Sequence, residues 1–388
     1  MIKEDDSLHE FSVLGGPLHR LGCRLGLVRE GTNTFWLGVA IGAFLWIVLL
    51  ALTLIEGISD KVFSLVVIGG HVRLLVAIPL FFLCEASVDP RMNAFVHTIV
   101  RSGIVRRNSL SAMESEVARS VRWKDFWIPE AICLLAAVLL SLIGPKLGLP
   151  GTTAAFDPSR GAGEMTLTGY WYWIVCVTVF RFLVFRWFWR LVLWWYFLWR
   201  VANLELYLVP THPDGAAGLG YLELVQVHFT PLILAISAVQ SALLAEEMSS
   251  GTMTFEAIYP SLVIILLLDA TLFLGPLFIF TAKLWACRVK GLSDYMEFAS
   301  QYVNKFDKKW LGGEASPDEP LLGTSDIQSL ADMSNSITIV RNMRLVPFGP
   351  RLMADLVVAA LLPILPLLLL KYPVAELAEK LITKLLGL

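Results

Sequence analysis

The sequence predicts an all-α, polytopic membrane fold with about seven transmembrane helices (six to eight) and further amphipathic cytosolic helices, and three observations carry that reading. Across 388 residues, 56% of side chains are hydrophobic and 16% charged, with a mean hydropathy of +0.67; soluble domains do not have this composition. Apolar runs of about twenty residues, enough to cross a hydrocarbon layer of roughly 30 Å, recur along the chain. Between them, regions rich in Lys and Arg alternate with cation-poor turns, the asymmetry that orients membrane proteins. The net charge of −2 hides this alternation and points to no nucleic acid.

Residues 1–34 read as a cytosolic N-terminal segment. Its opening, MIKEDDSLHE, is acidic and lacks the pattern of a signal peptide. From Pro17 to Arg29, Leu18, Leu21, Leu25 and Val28 share a helical face opposite Arg20 and Arg24, as in a helix lying on a membrane surface. Residues 35–86 hold two spans: Phe35 to Leu54, with Trp36 at interface depth, and Val62 to Leu83, interrupted by His71 and Arg73. Residues 87–125 read as a cytosolic helical hairpin whose second helix starts at the capping-box pattern Ser111-x-x-Glu114.

Residues 126–282 hold spans three to six: Trp127 to Ile143, Tyr170 to Arg200, Leu224 to Ala245 and Ile258 to Phe280. A Pro/Gly-rich loop from Gly144 to Gly163, a loop at 211–222 and the cation-free stretch EEMSSGTMTFE connect them. Residues 283–351 read as a cytosolic helical region: an amphipathic helix, the linker GGEASPDEP, and a helix opened by Ser325-x-x-Gln328 and stopped by Pro347. Residues 352–388 hold a seventh, Pro-interrupted segment that spans or re-enters, then the amphipathic tail VAELAEKLITKLLGL. By cation count the N-terminus, 87–125 and 283–351 are cytosolic. The five cysteines form no CxxC or Cys/His pattern, so neither a disulfide framework nor a zinc site is expected.

The fourth span dominates. GYWYWIVCVTVFRFLVFRWFWRLVLWWYFLWR is apolar on nearly every side, which places it in lipid or a large core, and its tryptophans read as lipid-facing anchors and helix packing. At 1.5 Å per residue it is roughly 45 Å long, so it tilts or protrudes. Arg181, Arg186 and Arg190 interrupt it. Charge inside such a segment is expensive and marks function by default.

Depth sorts the ionisable groups into two sets. His71, Arg73, Arg181 and Asp269 each lie roughly 14–16 Å inside their spans and are expected to meet near the midplane, with Asp269 paired to Arg181 or Arg73. Two arginines against one acid leave room for an anion. Glu85, Glu130, Arg186 and Arg190 fall near the cytosolic face. Glu130 follows Pro129 in a first helical turn, where an acid suits the dipole, and the two arginines are able to snorkel to headgroups.

The loop HPDGAAGLGYL contains His212, Pro213, Asp214, Gly215, Gly218 and Gly220, and three readings stay open. Asp214 caps a helix after a Pro-Asp-Gly turn; the glycines expose amides to a phosphate; or His212 and Asp214, with His228, form a metal or acid/base site. His212 and Asp214 are weak catalytic candidates, because no nucleophile or further ligand set accompanies them.

HPDGAAGLGYL, from His212 to Leu222, and LGTSDIQSLADMSNSITIVRNMRLVPF, from Leu322 to Phe348, resemble a family of bacterial multi-pass inner-membrane proteins of uncharacterised activity. The likeness extends to the opening LGGPLHRLG and the Pro-interrupted close. It implies a bacterial inner-membrane location and carries no activity with it. The function expected is a channel or transporter for an ion or small anionic solute. The alternatives are a membrane-embedded enzyme at the HPD loop and a scaffold or sensor without transport. The partners expected are the lipid bilayer and a small anion or ion, with a homo-oligomer left open; no cofactor is expected.

Overall fold

In the computed structural model the described residues are 11–12, 34–58, 63, 65–147, 166–251, 258–313 and 325–367. Every regular element among them is helical, with a single bridge between Val105 and Leu206. Helix α1 (Thr34–Ile55) carries no charge in its first or last turn. It approaches α2 through Gly38 and Gly42. A Cβ on Gly42 would lie 2.2 Å from the Leu74 carbonyl oxygen, so glycine is required there for the backbones to meet.

Helix α2 runs from Ile68 to Arg101, 34 residues without interruption. The second span and the first limb of the expected hairpin are therefore one helix, because nothing between Leu83 and Arg101 breaks it and even Pro90 is accommodated inside. A π-helical turn, Arg73–Ala77, sits near its start. After a 3₁₀ turn, Arg107–Ser109, come α3 (Leu110–Asp125) and α4 (Trp127–Leu147), bent by 42° where Phe126 turns extended. The capping box expected at Ser111 does not form: Ser111 lies within the helix, which the 3₁₀ turn nucleates through Ser109 N–H to the Arg106 carbonyl.

Helix α5 (Val177–Ala202) is entered through Leu167–Tyr170 and a π-helical turn, Trp171–Cys176. The Thr166 hydroxyl accepts from the Gly169 amide at 3.2 Å and Glu56 from the Leu167 amide at 2.7 Å, satisfying donors that a helix start leaves orphaned. Helix α6 spans Tyr221–Ser249. Helix α7 spans Tyr259–Trp310, 52 residues and roughly 75 Å long. The sixth apolar segment thus continues directly into the amphipathic helix that follows it. Helix α8 (Ser325–Arg341) packs back on α7, where Lys309 and Trp310 hold the Asp326 carboxylate at 2.9 and 3.1 Å. Helix α9 (Pro350–Leu361) ends in a 3₁₀ turn at Pro363, whose carbonyl accepts from Ser241 of α6 at 2.6 Å.

Among the described residues four helices, α1, α2, α6 and α7, are long and apolar enough to cross a membrane, or five if the bent pair α3–α4 counts as one span. The expected count of about seven is not confirmed among the described residues. Helix α5 falls outside because four arginines punctuate it, and α9 because Pro363 stops it after twelve residues. The apolar helices fit a membrane location.

The core gathers on α5. Trp194 and Phe197 are fully buried among Phe11 and Phe95. Trp173 and Trp187 are buried as well, while Trp199 is 48% exposed. The tryptophans expected to face lipid are thus divided, with three of them inside the protein. The surface helix expected at Pro17–Arg29, most of the Gly144–Gly163 loop, the GGEASPDEP linker and the C-terminal tail lie outside the described residues.

Candidate functional site

Two acids and two bases from three helices close into one buried network. Arg186 and Arg190 are one turn apart on α5 and so share a face. Arg190 grips Glu85 of α2 with both Nη atoms, at 2.9 and 2.8 Å. Arg186 lies 3.7 Å from the same carboxylate and 3.3 Å from Glu130 in the first turn of α4. All four residues are less than 10% exposed, and Arg190 stands over the Trp187 ring at 5.2 Å. The arginines therefore point inward, correcting the expectation that they snorkel to headgroups. The set is charge-neutral, the condition under which buried ions persist.

Of the four groups expected at the midplane, Arg73 and Arg181 lie within electrostatic reach of each other, but the four do not form one cluster. Arg73 donates to the Tyr172 hydroxyl at 2.6 Å and Arg181 to Ser141 at 3.1 Å. His71 accepts from the Trp46 indole at 2.8 Å and stacks on Phe63. Asp269 is 4% exposed and neither of its oxygens has a hydrogen-bond partner among the described residues. Its expected pairing with Arg181 or Arg73 is absent. Matching depth constrains one coordinate only; helix rotation and neighbours set the rest. A carboxylate that does interact with Arg73 is Glu246, whose Oε1 accepts the Gly69 amide at 2.7 Å. It went unrecognised because α6 extends through residues read as loop.

The HPD loop is built around one carboxylate. Asp214 Oδ1 accepts from the amides of Ala216 and Gly218 at 2.8 and 3.1 Å and lies 2.8 Å from His212 Nδ1; Oδ2 accepts from Gly220 at 2.7 Å. Partial burial disfavours ionisation, but these amides together with His212 outweigh it and hold the carboxyl below its ordinary 3.8. The bonds enforce a contorted path: Gly215, Ala217 and Gly218 all have positive φ, and Ala217 is a non-glycine residue in that region. Gly218 also packs where a Cβ would meet Ile104 at 2.6 Å.

This geometry corrects the capping and phosphate readings of the loop and, of the third, leaves the His212–Asp214 pair without His228. Asp214 does not cap a helix in the usual sense, since α6 begins after Gly220 with no side-chain cap. The amides of Gly218 and Gly220 are spent on Asp214, and that of Gly215 on the His212 carbonyl, so they are not turned to a phosphate. His228 is engaged elsewhere, by Arg91 at 3.3 Å, and no three metal-ligating side chains gather among the described residues.

The loop instead docks the chain's later segment. The Arg344 amide donates to the Gly215 carbonyl at 2.8 Å, and its guanidinium reaches the Asp214 carbonyl and Glu223 Oε2, both at 2.6 Å. The HPD loop and the segment that follows α8 are thereby latched to each other. Arg344 was passed over in sequence because no spacing links it to residues more than a hundred positions earlier. Beside the latch lies a cleft of about 720 Å³ containing Arg106, Lys283, Lys290 and Tyr295.

Comparison with protein families, with characterised proteins and with solved structures finds no match.

Proposed function

We propose that this chain conducts a small anion or ion across a membrane along the polar groups carried by α5 and the π-turn that precedes it. The observation that supports this is their continuity. Tyr172 with Arg73, Arg181 with Ser141, Arg186 and Arg190 with Glu85 and Glu130, and Arg200 with Glu116 follow one another over 28 residues, roughly 42 Å of helix. Polar groups at such depth cost free energy unless partnered or hydrated, and they mark solute pathways in membrane proteins. The neutral inner network offers an ion no net charge; Arg73 and Arg181, with Glu246 acting on Arg73 alone of the two, carry an excess of positive charge that favours an anion.

The family resemblance supports a bacterial inner membrane as the location. The cation count supports a cytosolic N-terminus, cytosolic 87–125 and cytosolic 283–351. The enzyme reading loses support because the Asp214 oxygens are saturated by donors. A scaffold or sensor keeps one observation in its favour: Met296 and Phe298 on α7 are 54% and 60% exposed in a segment read as outside the membrane.

Chloride flux into liposomes carrying the purified protein tests the proposal. Flux above protein-free liposomes is expected, reduced in Arg73→Gln and Arg181→Gln. No flux above background, or equal flux in both variants, removes the reading.

A further inference from the structure

We propose that the groove where α3 bends into α4 against α5 binds a phospholipid with an anionic headgroup. Its volume is about 1100 Å³, above the roughly 300–1,000 Å³ that suits drug-sized ligands, and its lining changes character along its length. One end holds Arg119, Arg122 and Tyr196. Arg122 is exposed and has no hydrogen-bond or ion-pair partner among the described residues. Arg119 donates to the Tyr196 hydroxyl at 3.2 Å and lies 3.8 Å from Glu116, but Arg200 already holds that carboxylate at 2.5 Å. Arg119 and Arg200 thus share one acid while Arg122 pairs with none among the described residues, and the mouth carries excess positive charge.

Below it the walls are hydrocarbon. Phe126, Ile132 and Phe188 are 50%, 59% and 56% exposed, and Trp123 stacks on Trp189 with ring centroids 6.2 Å apart at the boundary between the two zones. The 42° bend between α3 and α4 holds this wall open. A soluble anion would leave the apolar walls in contact with nothing it can use. An uncharged apolar molecule would leave the arginines unmatched. A zwitterionic lipid brings its own ammonium to the arginines, whereas an anionic one brings net negative charge. Basic pockets between helices at the membrane surface are where such headgroups are held. The inference rests on the membrane location and is independent of the ion pathway.

The test uses the full chain in detergent, with phosphatidylglycerol, phosphatidylcholine of the same acyl chains, and inorganic phosphate added separately. Thermal unfolding and native mass spectrometry are the readouts. Phosphatidylglycerol is expected to raise the melting temperature and to stay bound, with phosphatidylcholine binding about tenfold more weakly and phosphate causing no shift. Arg122→Gln, which breaks no contact, should keep the lipid-free melting temperature and reduce the preference; Arg119→Gln/Arg122→Gln should abolish it. Phe188→Ser should weaken both lipids alike. Equal binding of the two lipids by the wild type, an undiminished preference in Arg122→Gln, or a full shift with inorganic phosphate alone overturns the proposal.

Discussion

Asp214 and Asp269 are both acids in an apolar chain, and their surroundings give them opposite consequences. Asp214 is stabilised as an anion by three amides and His212. Its folded pKa lies below the unfolded value, so its contribution is complete above that unfolded value and is lost as pH falls through the folded one. Asp214→Asn should cost about 1–3 kcal/mol at pH 7, and the gap between it and the wild type should narrow below about pH 4. Denaturation of both proteins in detergent across pH 3–7 measures this; a gap that stays constant would falsify the anionic role. Among the described residues Asp269 has no counter-charge to abandon. Asp269→Asn should therefore leave stability within about 0.5 kcal/mol, and a loss of several kcal/mol would reveal a partner that the structure does not contain.

At the scale of elements, the ionic network decides how α2, α4 and α5 are held. Glu85 receives a bidentate guanidinium and a second arginine, whereas the Arg186 guanidinium approaches Glu130 only to 3.3 Å. Removing one partner of a buried pair costs about 3–5 kcal/mol because the other charge is stranded. Glu85→Gln should fall in that range and Glu130→Gln clearly below it. Since Arg190 places both its Nη hydrogen bonds on Glu85, Glu85→Gln/Arg190→Gln should recover part of the loss. The double-mutant cycle is the measurement, and strict additivity would show that the two residues act independently.

For the whole molecule, α7 joins the membrane-length apolar segment to the polar region as one helical run of 52 residues through a π-turn (Ala270–Leu274) and a 3₁₀ segment (Gly275–Phe280), and α8 and the HPD loop brace its polar half. Arg288 donates to the Arg341 carbonyl, and Gly291 packs against Pro210, where any Cβ would come within 2.6 Å. If the polar regions are cytosolic, a cysteine introduced at Ser111, which is exposed, should resist an impermeant thiol reagent added outside intact cells and react once they are opened. Efficient labelling in intact cells would invert the topology.

The sequence by itself determined the class of this protein: helical, rich in apolar segments, with charged groups in positions that demanded partners. Composition and run length suffice for that, because hydrocarbon tolerates no unsatisfied backbone. It also brought Arg186 and Arg190 onto one face, since helical periodicity is local. Only the tertiary structure decided who their partners were. Glu85 and Glu130 lie on other helices, and periodicity carries no information about how helices rotate against one another. The same limit hid Glu246 and Arg344 and misassigned Asp269. Helix rise gave each residue a depth, but contact requires depth, rotation and adjacency together, and the last two are set by packing across the whole fold.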